Sequence, residues 1–79
     1  MVNSAELNKL ILQFMRCSRE VYSGVSRGEV VDWNSFHYMR GLADGYIKCL
    51  ADSGVITKPM AEEYRQRVRN IQAGQFDWF

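Results

Sequence analysis

The chain has 79 residues, of which 47% are hydrophobic and 13% aromatic. This length fits one domain, and the composition excludes an intrinsically disordered segment, which would contain few aromatic residues. Ten lysines and arginines oppose nine acidic residues, so the net charge is only +1. Nucleic-acid-binding proteins normally carry a basic footprint, so the composition argues against nucleic acid as the partner and equally against an acidic mimic of DNA.

The start of the chain and its cysteines predict a compartment. A secretory signal would begin with a basic stretch followed by a sustained apolar stretch, whereas this region contains Glu6 and Asn8. The sequence therefore predicts no signal peptide. The longest apolar run nearby, residues 10–12, is far shorter than a membrane span. Two cysteines, Cys17 and Cys49, are too few for a disulfide framework. We therefore expect a cytoplasmic protein with no membrane partner and with both thiols free.

A first helix is predicted over about residues 4–23. Asn3 and Glu6 form a capping-box-like pair at its start. Gly24 is the expected stop, because glycine adopts a left-handed C-cap without strain. Leu12 falls off the apolar stripe, so we expect it to be exposed. The stripe has three- and four-residue spacing and consists of Leu7, Leu10, Ile11, Phe14, Cys17, Ser18, Val21 and Tyr22.

A second helix is predicted over about residues 33–53, and its apolar arc is unusually wide. Val30 and Val31 are expected to pack beneath this helix, and Asp32 or Asn34 to cap it. An apolar arc of roughly 180° requires partners on two sides, so the helix is predicted to be the centre of the fold. The arc consists of Phe36, Met39, Leu42, Ala43, Tyr46, Ile47, Cys49 and Leu50.

Two glycines, Gly41 and Gly45, lie on one edge of the second helix. Together they lower helix stability by about 2 kcal/mol relative to alanine, so we expect close approach of another backbone to offset the loss. The predicted site is a tight helix crossing, either within the fold or across a homodimer. On the polar side, Asp44 and Lys48 have the spacing of an ion pair.

A third helix is predicted over about residues 58–73. Gly54 ends the preceding helix, while Thr57 as N-cap and Pro59 in the first turn begin the new one, which is typical of an αα-hairpin. Gly74 is the expected stop. The single apolar face consists of Met60, Tyr64, Val68 and Ile71. The whole chain, 1–79, is thus predicted to be one small all-α domain of three helices.

The last residues, 75–79, form a mostly aromatic tail. Phe76, Trp78 and Phe79 carry a large apolar area, and aromatic residues are favoured as interface anchors. Three interpretations stay open: the tail completes the chain's own core, enters a groove on another copy or another protein, or is disordered. We expect the rings to be buried in one of the first two ways.

Arg65, Arg67 and Arg69 form a basic cluster in the third helix. On a helix, Arg65 and Arg69 share a face while Arg67 points elsewhere, and Glu62 and Glu63 are spaced to pair with Arg65 and Arg67. One interpretation is a solvated outer face. The other is a surface that grips phosphate or carboxylate, because the arginine fork suits both groups.

No catalytic, cofactor-binding or metal-binding motif is found. His37 lies on the polar strip of the second helix, and a structural zinc site needs about four ligands, more than the chain supplies at suitable spacing. Cys17 and Cys49 lie on apolar arcs without nearby cations, so they are predicted to be small core residues of low reactivity. We expect a protein without enzymatic activity.

Residues 41–46, 54–57 and 62–64 together read as helix, glycine, apolar pair and capped helix. This pattern, over about half the chain, resembles the helical hairpin of small phage and prophage accessory proteins. The resemblance implies a stoichiometric role, such as blocking a host defence protein in the manner of anti-CRISPR proteins. The expected function is a self-associating protein-binding module. The alternative is a small nucleic-acid-associated regulator that uses Arg65, Arg67 and Arg69.

Overall fold

A computed structural model describes residues 4–75 of the chain. These residues contain three helices, α1 (Ser4–Ser26), α2 (Trp33–Asp52) and α3 (Lys58–Gln72), and no strand occurs among them. The predicted all-α, three-helix class is therefore confirmed. None of the three helices combines the length and the apolar character needed to cross a bilayer. The predicted cap Asn3 and most of the aromatic tail lie outside the described residues.

The first helix does not stop at Gly24, and this prediction is wrong. α1 continues to Ser26, and the chain reverses at Gly28, whose φ is +70°. The amide of Glu29 donates to the Gly24 carbonyl at 2.9 Å, which closes a Schellman-type end. Gly24 is buried inside the helix for another reason: a Cβ there would lie 2.5 Å from Cγ1 of Val31. Its missing side chain is the space into which Val31 packs.

The connection into α2 is fixed by Asp32, as predicted. Its carboxylate accepts hydrogen bonds from the Ser35 amide at 3.0 Å and the Ser35 hydroxyl at 2.6 Å. The Ser35 hydroxyl and, to a smaller extent, the Ser35 amide hold the pKa of Asp32 below its ordinary value. Of the two valines expected beneath the helix, Val31 packs against the core, whereas Val30 is fully exposed.

The hairpin between α2 and α3 follows the prediction closely. Gly54, with φ of +77°, turns the chain, and the amide of Val55 donates to the Leu50 carbonyl at 2.9 Å. The Thr57 hydroxyl then caps α3 by accepting a hydrogen bond from the Met60 amide at 3.3 Å. Because this connection is short, α3 returns antiparallel alongside α2.

The core lies along α2, which contacts both α1 and α3. Phe14 of α1 and Phe36 of α2 meet with ring centroids 5.3 Å apart. α1 is joined to α3 by polar contacts as well, because the buried Ser18 hydroxyl donates to the Ile71 carbonyl at 2.7 Å. The buried apolar residues are Leu7, Ile11, Phe14, Met15, Val21, Phe36, Ala43, Ile47, Leu50, Ile56, Ala61, Val68 and Ile71.

The apolar face of α3 is shifted by one residue from the predicted face. Val68 and Ile71 are buried and Tyr64 is half-buried, as expected, but Met60 is 40% exposed. Ala61 takes its place in the core. Ala61 lines a cavity between the two helices together with Ala51 of α2.

We expect Ile47→Ala to lower the free energy of unfolding by about 2–5 kcal/mol, since it removes buried methylene groups from the centre of the core. Val30→Ala, at a fully exposed position, should change it by less than about 0.5 kcal/mol. Chemical denaturation measures both variants. Equal losses would contradict the placement of the core along α2.

Candidate functional site

One side of α2 is left uncovered by the other helices. Tyr38 is 66% exposed and Leu42 is 39% exposed, and Cys49 is also exposed. Between these side chains, Gly41 and Gly45 face open space, since a Cβ built on either would meet no atom within 4 Å. These five residues are called here the open face of α2. It combines an aromatic ring, a leucine and a thiol with two positions that have no side chain.

The sequence places Leu42 and Cys49 in the core, and this prediction is wrong. α3 packs against the opposite side of α2, where Arg40 and Ala51 are half-buried, and Ala51 shares a cavity wall with Ala61 of α3. The covered arc of α2 is therefore rotated toward α3. A helical wheel shows how polar and apolar residues are distributed around one helix. It does not show on which side a neighbouring helix will pack.

Within the described residues, Gly41 and Gly45 do not mark a helix crossing. The part of the prediction that concerned close packing inside the fold is wrong. The part that concerned an interface stays a prediction. Tyr38 was missed by the sequence analysis, although it stands four residues before Leu42 on the same side of the helix.

Alanine substitution distinguishes the glycines that face open space, Gly41 and Gly45, from the glycine that is packed against a side chain, Gly24. Gly41→Ala and Gly45→Ala should each raise the free energy of unfolding by up to about 1 kcal/mol, because alanine is the better helix former and meets no neighbour. Gly24→Ala should lower it, because the added Cβ collides with Val31. Urea denaturation of dilute protein, at a concentration where copies do not associate, distinguishes the two outcomes. Destabilisation by all three substitutions would show that the α2 glycines are packed within the fold after all.

The three arginines of α3 lie on two different surfaces, and this agrees with the prediction from helix geometry. Arg65 and Arg69 line a groove between α3 and α2. Arg67 lies on another side, with its guanidinium 5.4 Å from the ring centroid of Tyr64. The predicted ion pair between Arg65 and Glu62 is present at 2.7 Å.

The groove beside Arg65 and Arg69 has a volume of about 360 Å³ and is called here the α2–α3 groove. It brings Lys48 of α2 to the same place as the two arginines, which the sequence analysis did not foresee because the convergence depends on the helix pairing. The predicted Asp44–Lys48 pair is not among the ion pairs of the described residues. The lining residues are Asp44, Lys48, Arg65, Val68, Arg69 and Gln72.

Phe76, Trp78 and Phe79 lie outside the described residues, so their predicted burial is not addressed by the structure. The described chain ends close to an aromatic cluster. Gly74 lies beside Tyr22, since a Cβ on Gly74 would be 3.3 Å from Cε2 of the ring. Tyr22 in turn meets Trp33 with ring centroids 6.2 Å apart.

The two free thiols have different surroundings. Cys17 is half-buried beside a cavity of about 310 Å³ whose wall also carries Glu20, Glu29 and Asp32. Burial, and then the negative charges of Asp32 and Glu20, raise the pKa of the Cys17 thiol above its ordinary value. Cys17 therefore has neither the exposure nor the cationic setting of a nucleophile.

We expect the native protein to react with a thiol reagent in two phases near pH 8, with Cys49 fast and Cys17 slow. Only the thiolate reacts, and a raised pKa leaves less of it at any pH below that pKa. The single-cysteine variants Cys17→Ser and Cys49→Ser assign the phases, and the unfolded chain provides the reference rate. Faster labelling of Cys17 than of Cys49 would contradict the assignment.

The single histidine lies apart from the acidic residues and thiols in the described part of the chain. His37 is exposed on α2, with its ring stacked on Trp33 at 6.3 Å between centroids. No cluster of three or more histidine, cysteine, aspartate or glutamate side chains suited to a metal occurs in residues 4–75. Comparisons of the chain with protein families, with curated proteins and with solved structures found no match.

Proposed function

We propose that the protein is a non-enzymatic protein-binding module and that its interface is the open face of α2. The observation that carries the proposal is the uncovered position of Leu42 and Tyr38 beside two glycines with free space above them. Contiguous apolar surface of this kind is typical of interaction sites. Tyrosine is a favoured interface anchor because its large ring loses little entropy when it is fixed.

The glycines support an interface made by another helix. Gly41 and Gly45 reduce helix stability, and no contact within the described fold offsets the loss. A neighbouring backbone that approaches closely over them would offset it. Tyr38, Leu42, Gly45 and Cys49 also follow one another at intervals of four, three and four residues, which is the spacing of a helix–helix seam.

A second copy of the chain is the partner that we propose first. An interface on one helix becomes self-complementary when two copies are related by a two-fold axis. Burial of Leu42 at such an interface contributes about 1.5–3 kcal/mol if it is complete. The free thiols accord with a reducing compartment, and we propose the cytoplasm as the location.

We extend the proposal to a stoichiometric inhibitor of a host defence protein, such as an anti-CRISPR protein. Its support is the resemblance of the hairpin in residues 41–64 to those of phage accessory proteins. Such an inhibitor acts by occupying a surface of its target, so loss of the open face should abolish inhibition while the fold is kept.

The test of the interface compares two exposed leucines. Leu42 lies on the open face at 39% exposure, and Leu12 lies on α1 at 43% exposure. We expect sedimentation velocity at increasing concentration to give a dimer for the unchanged protein and for Leu12→Glu. Leu42→Glu should weaken association at least about 10-fold, because it places a charge in an apolar contact.

A monomer at every concentration would show that the partner is not a second copy. The interface is then tested with a photo-crosslinker on the Cys49 thiol in a Cys17→Ser background, in lysate of the source cell. The control carries the crosslinker on Lys9→Cys, with both native cysteines replaced by serine. Equal crosslinking from both positions would contradict the proposal that the open face binds protein.

A further inference from the structure

The α2–α3 groove carries a second, electrostatic surface, separate from the open face. Two pairs of residues spaced four apart line it, Asp44 with Lys48 on α2 and Arg65 with Arg69 on α3. Its floor is apolar, because Val68 lies between the arginines and is only 2% exposed. Three cations and one carboxylate thus surround a cavity of about 360 Å³, which is enough for the ends of one or two side chains.

The cations of this groove are incompletely neutralised by the described chain. Lys48 takes part in no ion pair among residues 4–75. The Arg69 guanidinium donates to the neutral Oε1 of Gln66 at 3.0 Å. Arg65 alone has an acidic partner, Glu62, at 2.7 Å. The surface consequently offers two positive charges that form no ion pair, with Asp44 as the one carboxylate of the groove, on a chain whose net charge is only +1.

The Arg65–Glu62 contact indicates which ligand chemistry the groove accepts. Glu62 places a carboxylate oxygen on a terminal nitrogen of Arg65 at the edge of the groove. Its side chain is 65% exposed, so the contact is weakly held and a carboxylate from outside can replace it. Arginine binds carboxylates through its planar fork, with charge-assisted hydrogen bonds about twice as strong as neutral ones.

The size of the groove favours an acidic protein segment over a nucleic acid. The groove extends along α3 only from Arg65 to Gln72, roughly 10 Å at the rise of an α-helix, whereas nucleic-acid affinity grows with the number of phosphates contacted. A segment with two or three carboxylates and some apolar side chains matches both the cations and the Val68 floor.

We propose that the α2–α3 groove binds a short acidic segment of a partner protein, with Lys48 and Arg69 as its main carboxylate contacts. The groove lies next to the open face on α2, since Lys48 follows Gly45 by three residues. None of the residues that line the groove belongs to the open face, so the two sites are tested by separate substitutions.

The test uses a fluorescein-labelled peptide containing a run of glutamates between glycine and serine residues, at about 50 mM salt. Fluorescence anisotropy should detect binding that weakens at least about 10-fold in Lys48→Glu and in Arg69→Glu, because each substitution reverses a contacting charge. Arg67→Glu is the matched control, since it makes the same change on another side of α3 and should alter the Kd by less than about threefold. Asp44→Asn should tighten binding, because it removes the repulsive carboxylate.

Three outcomes overturn the proposal: no binding of the peptide, equal weakening by Arg67→Glu and Arg69→Glu, or tighter binding of a labelled single-stranded or duplex DNA of similar length. The melting temperature of each variant is measured alongside, so that loss of binding is not confused with loss of fold. Leu42→Glu should leave peptide binding unchanged. The experiment therefore distinguishes failure of the proposal for the groove from failure of the proposal for the open face.

Discussion

The packing of α3 against one particular side of α2 determines most of the other features of this molecule. α3 covers the side that carries Ala51 and Arg40, although the opposite side, with Leu42 and Cys49, is the more apolar one. Ala51 and Ala61 line the same cavity between the two helices. Nε of Arg40 is buried with no acceptor among the described residues, and an unsatisfied buried donor is unfavourable by about 1–3 kcal/mol.

Both candidate surfaces are consequences of that choice. The apolar side that α3 does not cover becomes the open face, and the polar side that it does cover becomes a groove lined by charges from both helices. α1 secures the arrangement from the other direction, since the buried Ser18 hydroxyl fixes the last turn of α3 through the Ile71 carbonyl. A small domain buries a limited share of its surface, so the apolar open face and the charged groove both stay accessible on the central helix.

The elements that were predictable from the sequence are those set by neighbouring residues. Asp32 and Thr57 cap their helices through contacts three residues away, and Gly54 and Gly74 adopt the positive φ expected of helix ends. Gly24 looked identical to them in sequence, but its role is set by Val31, which reaches it only after the chain has turned. The local sequence shows where a glycine lies, but it does not show which residue of the folded chain occupies the space beside that glycine.

The candidate site was less predictable for a similar reason. The wheel correctly separated Arg67 from Arg65 and Arg69, because that depends on one helix alone. It failed for Leu42 and Cys49, which are exposed. It also did not show that Lys48 lies beside the arginines, because that depends on which sides of two helices meet. Gly41 and Gly45 were rightly singled out as unusual, but the sequence does not say whether the free space above a glycine is filled by its own chain.

The end of α3 has a consequence for whatever follows it. The Tyr22 hydroxyl donates to the Gln72 carbonyl, and its ring lies against Gly74, so α1 holds the end of α3 at a fixed point. That point is beside Trp33, at the end of α2 nearest Tyr38. Any segment attached there is tethered over a short distance, at an effective concentration of the order of millimolar relative to this end of the bundle. A weak contact made by such a segment would then compete with partners in solution without needing high intrinsic affinity.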